Sequence, residues 1–173
     1  MYVVIGLGNP GAKYATTRHN IGWLVLDSLA GKKKWQADVK AKAEYCELSD
    51  TVLLIKPQTF MNASGTTVVY IKKRLAKLPL SHFIVVHDDK DISFGVVKIT
   101  DSSRSAGHNG VQSIIDSLGS QDFPRIRVGV KNEQLLKTMP TDKFVLAKFT
   151  PEEQKQLPGV MQKAVQEVSI RMS

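Results

Sequence analysis

An imidazole, a carboxylate and several side-chain amides are spaced along this chain like the parts of a general-base site. His19 lies in Thr17-Arg18-His19-Asn20, soon after Gly6-Leu7-Gly8-Asn9-Pro10-Gly11. Asp88 lies in His87-Asp88-Asp89-Lys90-Asp91, directly after the apolar run Phe83-Ile84-Val85-Val86. The spacing puts His19 in or just before the first turn of a helix. The positive end of a helix disfavours imidazolium, so a neutral imidazole is available there as a base near pH 7. A carboxylate on its other ring nitrogen would fix the tautomer and support the proton once taken. Asp88 is the residue that a buried strand would deliver to that place. The plainer readings are a surface cap residue for His19 and a loop carboxylate for Asp88. His87 and His108 are then neighbours of the ordinary structural kind.

Four polar segments must converge for such a site to exist. The first carries Asn9, Tyr14 and His19 and follows the strand pattern Tyr2-Val3-Val4-Ile5. The second, Lys56-Pro57-Gln58-Thr59-Phe60-Met61-Asn62, follows the strand pattern ending at Ile55. The third is His87 to Asp91, read as a loop after the most apolar strand. The fourth, Ala106-Gly107-His108-Asn109-Gly110, opens a helix with its apolar stripe at Val111, Ile114, Ile115 and Leu118. Three of the four follow carboxyl ends of strands, the edge of an open α/β sheet where ligands bind.

The rest of the pattern alternates in the same way. Ile21, Leu24, Val25 and Leu29 follow helical spacing and stop at Gly31, and a further helix is expected from about Ala63. Ala43 to Leu48, Thr51 to Ile55, Val96 to Ile99 and Ile126 to Val130 read as strands. Thr150-Pro151-Glu152-Glu153 has the capping residue, first-turn proline and third-position glutamate of a helix start. Pro158-Gly159 inside that last helix predicts a break or kink. The expectation is one α/β domain over residues 1–173, a twisted mixed and mostly parallel sheet flanked by helices.

Composition narrows the function classes. The 173 residues suffice for a real core without staples. One cysteine, Cys46, cannot make an internal disulfide and suits a reducing compartment. No apolar run approaches the roughly 18 residues of a membrane span, and the N-terminus lacks a secretion signal, which reads as cytoplasmic. A net charge of +8 favours a polyanionic partner such as nucleic acid. Gly6-Leu7-Gly8-Asn9-Pro10-Gly11 fits the dinucleotide pattern, but the helical stripe starts only at Ile21 and no acidic residue ends a second strand at the needed distance. The histidines are scattered without metal-ligand spacing, and Asp88-Asp89-x-Asp91 without a phosphate loop is a weak magnesium signal. No G-x-S-x-G elbow is present. The expectation is therefore no metal and no cofactor.

Taken together, the segments resemble the bacterial-type peptidyl-tRNA hydrolases over nearly the whole chain and in order. The likeness is carried by Gly6 to Gly11 with Tyr14 and Thr17 to Asn20, and by Lys56 to Gly65. It continues through His87-Asp88 with Asp91 and Gly95, Gly107 to Gly110, Arg125 to Gly129, and Phe144 to Phe149. The resemblance implies cleavage of the ester that joins a peptide to the 3′ end of tRNA, recycling tRNA from stalled translation by a monomer without metal. It implies His19 as the proton acceptor that activates water and Asp88 as the group that keeps it basic. Asn9 would distinguish N-blocked peptidyl-tRNA from aminoacyl-tRNA. Tyr14, Phe60, Asn62 and Asn109 would contact the tRNA end or the peptide, and Arg127 would bind acceptor-stem phosphate. Two departures stand out. Asp101-Ser102-Ser103-Arg104-Ser105-Ala106 replaces a glycine-rich run, and Thr100 replaces a common basic residue, with Arg104 near enough in sequence to compensate. An RNA-binding protein on the same fold, without useful catalysis, is the alternative reading.

Overall fold

In a computed structural model, which describes residues 1–173, seven strands pair into a single sheet. They are β1 (Tyr2–Gly6), β2 (Gln36–Asp38), β3 (Ala43–Ser49), β4 (Val52–Pro57), β5 (Phe83–Ser93), β6 (Val97–Thr100) and β7 (Arg125–Lys131). Their order is β2-β3-β4-β1-β5-β7-β6. The central strands β4, β1, β5 and β7 run parallel, while β2, β3 and β6 add antiparallel edges. The helices are α1 (Ile21–Ala30), α2 (Ser64–Arg74), α3 (Asn109–Leu118), α4 (Glu133–Leu136), α5 (Thr141–Val145) and α6 (Pro151–Arg171).

The period-two alternation of the strands builds a core on each face. Val4, Leu54, Ile84, Val86, Ile126 and Val128 pack with Ile21 and Val25 of α1 and with Val160, Ala164 and Val168 of α6. Val3, Ile5, Ile55, Phe83 and Val85 pack on the opposite face with Val68 and Ile71 of α2 and Val111 and Ile114 of α3. Central strands covered on both sides must be apolar throughout, which is why β1 and the first half of β5 read as unbroken runs. No helix is long and apolar enough to cross a membrane.

Three features differ from the sequence expectations. The segment His87 to Asp91 is not a loop; it continues β5, whose pairing with β7 runs from Val85–Arg125 to Asp89–Gly129. Polar residues persist in this buried strand because they find side-chain partners. Of the break or kink expected at Pro158, the break is absent: α6 is one helix over Pro151–Arg171. The missing N–H would have bonded the Gln154 carbonyl, and both residues are exposed, so water can serve that carbonyl. Val160, Ala164 and Val168 on the inner face hold the helix down. Finally β2, α4 and α5, of three to five residues, are too short to show a period in sequence.

Candidate active site

The glycines after β1 serve packing. A Cβ on Gly6 would lie 2.5 Å from the Gly22 carbonyl oxygen, and one on Gly22 would lie 2.4 Å from the Val86 carbonyl oxygen. Bare backbone on both sides lets α1 press onto β1 and β5. The residues that follow form tight turns at Ala12–Tyr14 and Arg18–Asn20, and α1 begins only at Ile21. The glycine pattern therefore does not open a helix, as a pyrophosphate site would require.

His19 occupies the middle of the Arg18–Asn20 turn, directly before α1. Asn20 fastens this turn to the end of β1. Its Oδ1 accepts the Asn9 backbone N–H (2.9 Å) and its Nδ2 donates to the Asn9 carbonyl (3.0 Å). Asn9 Oδ1 in turn accepts the Met61 N–H at 2.8 Å, which fixes the amide and leaves Nδ2 with no partner in the chain. The first and second polar segments are thus joined through Asn9.

The third and fourth segments meet at Asp88. Its Oδ1 lies 2.8 Å from His19 Nδ1 and 2.8 Å from His108 Nε2. The protons on these rings follow from the backbone. His108 caps α3, and its Nδ1 accepts N–H bonds from Gly110 (3.1 Å) and Val111 (3.3 Å). The proton of neutral His108 must then sit on Nε2, donated to Asp88. His19 donates from Nδ1 to the same carboxylate oxygen and keeps its Nε2 lone pair free. His87 donates from Nδ1 to the Asp88 carbonyl (2.7 Å), while its buried Nε2 has no partner. The three side chains His19, Asp88 and His108 bring one potential ligand atom each within 4.8 Å of one another. They suit a hydrogen-bond relay better than a metal. Freeing the His108 Nε2 lone pair would force a proton onto Nδ1, against two backbone donors.

The electrostatics support this division. Burial pushes the His19 pKa down, but the adjacent Asp88 carboxylate outweighs it and leaves the pKa above the ordinary 6.5. The sequence reading named both a helix end that disfavours the charge and a carboxylate that supports it; the carboxylate contact decides the balance. Burial resists the charge on Asp88, yet the His19 and His108 rings hold its pKa far below the usual carboxylate range. Burial and the nearby His108 push His87 well below 6.5, so it stays neutral.

A cavity of about 370 Å³ opens onto this group. His19, Asp88, His108, Asn109, Lys90 and Asp142 are among the residues that line it. Asn9, Tyr14, Phe60 and Asn62 do not line it. They lie along the chain segments that Asn9 ties together. Phe60 is 59% exposed and meets Tyr14 edge-on, with ring centroids 6.5 Å apart. Asn62 follows in the Met61–Ala63 turn. A larger cleft of about 630 Å³ lies near the starts of β1 and β4 and holds none of these residues.

Two basic residues are engaged rather than free. Arg127 donates from Nε (2.9 Å) to Asp89 Oδ2, with Nη2 2.7 Å from the same oxygen, and Nη1 lies 3.5 Å from Thr100 Oγ1. The phosphate-binding residue expected from sequence is therefore held in an ion pair with Asp89 in this structure. Arg125, buried in β7, grips the carbonyls of Ser103 and Arg104 and so ties down the altered 101–106 loop. Ala106 in that loop takes φ +51°, a left-handed conformation that glycine would adopt without strain. The sequence reading treated His108 as an ordinary structural neighbour; the available signals were the Gly107-His108-Asn109-Gly110 segment and its place just before the apolar stripe of α3. It gave no individual role to Asn20, Lys90 or the α5 residues, although Asn20 and Lys90 lie in polar segments it named and Phe144 and Val145 lie in a segment that carries the resemblance.

Comparison with known proteins follows the same lines. A family model described as peptidyl-tRNA hydrolase matches residues 3–173. A peptidyl-tRNA hydrolase of Thermodesulfovibrio yellowstonii is 43% identical over 178 residues, covering 98% of this chain and 91% of the relative. One from Caldanaerobacter subterraneus is 40% identical, covering 97% and 91%. A crystal structure of a peptidyl-tRNA hydrolase in complex with N-propanol superposes with a TM-score of 0.87 at 30% identity, over 99% of this chain and 88% of that one. The crystal structure of the Acinetobacter baumannii peptidyl-tRNA hydrolase gives 0.83 at 29% identity, covering 99% and 92%.

Proposed function

The chain belongs to the peptidyl-tRNA hydrolase family, and from that premise we propose that His19 activates the water that cleaves the ester between peptide and tRNA. The observation that carries this reading is the 2.8 Å contact of His19 Nδ1 with Asp88 Oδ1, which leaves Nε2 as the free lone pair. Nε2 takes a proton from water as the water oxygen attacks the ester carbonyl carbon. Asp88 steadies the imidazolium that forms, and His108 steadies Asp88. When the carbonyl carbon–ribose oxygen bond breaks, the proton passes from Nε2 to the leaving 3′ oxygen. A positioned base of this kind supplies roughly 10²- to 10⁴-fold in rate. The unpartnered Asn9 Nδ2 is a donor for the developing oxyanion or the peptide carbonyl, and one oxyanion donor supplies about 10²- to 10³-fold. No cofactor enters this scheme.

The remaining site residues serve binding. Exposed Phe60 with Tyr14 offers a stacking edge for the terminal base. Asn62 and Asn109 present amides to the tRNA end or the peptide. Arg127 reaches acceptor-stem phosphate from its pairing with Asp89. The biological role is tRNA recycling from stalled translation, by a cytoplasmic monomer. The test is hydrolysis of N-acetyl-aminoacyl-tRNA beside unblocked aminoacyl-tRNA, by wild type and His19→Ala. Cleavage of the blocked substrate alone, abolished by His19→Ala with tRNA affinity retained, is the expected result. Tight tRNA binding without cleavage by the wild type would leave only the RNA-binding reading.

A further inference from the structure

One residue before His19, a buried ion pair joins the catalytic turn to the far end of the chain, and the hydrolysis scheme makes no use of it. Arg18 Nη1 donates to Glu153 Oε1 (3.0 Å) and to the Val130 carbonyl (3.2 Å), and Nη2 donates to Glu153 Oε2 (2.6 Å). The guanidinium lies over the Phe144 and Phe149 rings, 4.7 and 5.0 Å from their centroids. Glu153 is equally committed. Oε1 also accepts from Asn132 Nδ2 (2.9 Å), and Oε2 also accepts the Thr150 N–H (2.8 Å). The four acceptor directions of this carboxylate are filled. Glu153 closes the capping box of α6, so the first turn of that helix is built around the pair.

This arrangement exceeds what a helix cap needs. A capping box requires only Thr150 and Glu153; here the same carboxylate also holds a fully buried arginine 135 positions away. Arg18 is pinned at its backbone as well, its N–H donating to the Ala147 carbonyl at 3.1 Å. On the other side of His19, Asn20 is bonded twice to the Asn9 backbone. The turn is clamped at both ends, and the residue between the clamps is the imidazole whose Nδ1 must stay 2.8 Å from Asp88. Misplacement of a reacting group by about 1 Å can cost roughly 10²-fold in rate.

We propose that Glu153 is a positioning residue for His19: through the Arg18 guanidinium, the start of α6 sets the turn from which the imidazole reaches Asp88. The inference rests on His19 as the base, so wild type and His19→Ala are assayed in parallel. Glu153→Gln keeps the cap and the shape but replaces two acceptor directions with a donor. It also strands a buried cation, which can unfold the protein. The double variant Arg18→Met, Glu153→Gln removes that charge, keeps a residue able to close the capping box, and fills the Phe144–Phe149 slot with an apolar chain. Each is measured for kcat, KM and the pH dependence of kcat on N-acetyl-aminoacyl-tRNA, with the folded fraction read by circular dichroism at the assay temperature. Per folded molecule, kcat falls at least about tenfold while KM stays within about threefold, the signature of lost transition-state geometry. The acid limb of kcat moves to lower pH, because an imidazole that has drifted from Asp88 loses the support of the carboxylate. A double variant with wild-type kcat per folded molecule and an unmoved acid limb overturns the proposal, as does a rise in KM alone. Hydrolysis surviving in His19→Ala would instead overturn the mechanism on which it rests.

Discussion

Replacing Asp88 by Asn tests the electrostatic core of the site, because it removes a charge while nearly preserving shape. At about 4 Å between charge centres and an effective dielectric near 20, a carboxylate and an imidazolium attract by about 4 kcal/mol. That corresponds to roughly three pKa units at about 1.36 kcal/mol each. Burial of His19 opposes this, and the balance leaves its pKa raised. With the carboxylate gone only burial remains, so the His19 of Asp88→Asn titrates below 6.5. In initial-rate measurements of kcat/KM on N-acetyl-aminoacyl-tRNA, from about pH 5 to pH 8.5, the acid limb therefore shifts down by more than about one unit. The plateau falls too, by no more than the roughly 10²- to 10⁴-fold that a positioned base supplies. Stability carries the same sign. In the wild type, the raised His19 pKa adds stability that is full below 6.5 and is lost as pH rises through the folded-state value. In the variant the contribution reverses, present above 6.5 and lost as pH falls, so the Tm gap between wild type and variant widens on the acid side. An acid limb that stays in place, or moves up, would show that the carboxylate does not support the His19 proton.

Four further substitutions probe binding and the scaffold. Arg127→Ala should lower the slope of log affinity for tRNA against log salt by about 0.7 to 0.9 for each phosphate that the guanidinium neutralises; Asp89→Asn, which releases Arg127, should strengthen binding at low salt, and an unchanged slope in the first variant would remove Arg127 from the tRNA interface. Phe60→Ala should forfeit about 1–3 kcal/mol of stacking, raising KM about 5- to 150-fold with kcat nearly unchanged, whereas a loss confined to kcat would contradict a stacking role. Pro158→Ala should restore the hydrogen bond to the Gln154 carbonyl and raise Tm by about 2 to 10 °C without altering kcat, and an unmoved Tm would mean that α6 already absorbs the proline at no cost.

The architecture was readable wherever burial imposes a period. The apolar runs of β1 and β5 and the stripes of α1 and α3 are direct images of a sheet covered on both faces. The reading failed where local preference and tertiary contacts disagree. Nothing local marks His87 to Asp91 as strand, since charged residues there are tolerated only because Asp88 meets two histidines and Asp89 meets Arg127. Pro158 is the converse case. A local breaker is overruled because its penalty falls on the solvent side while Val160, Ala164 and Val168 on the inner side stay packed.

The site poses a subtler problem of the same kind. Composition reveals histidines and a carboxylate, but not which imidazole has a usable lone pair, and three of them crowd around Asp88. Backbone geometry makes the choice. The first N–H groups of α3 claim Nδ1 of His108 and thereby spend its other nitrogen as a donor to Asp88. The Asp88 carbonyl claims the Nδ1 proton of His87, whose remaining lone pair is sealed in the interior. Only His19 combines a donor nitrogen on Asp88 with a second nitrogen left unbonded on a residue that lines the cavity. The proposed base is thus singled out by which peptide groups the other two imidazoles already bind, and those partners lie only one to three residues from the imidazoles they silence. Sequence could name His19 through its motif, but the physical reason that neither His87 nor His108 can substitute for it exists only once β5, α3 and the Arg18–Asn20 turn have met.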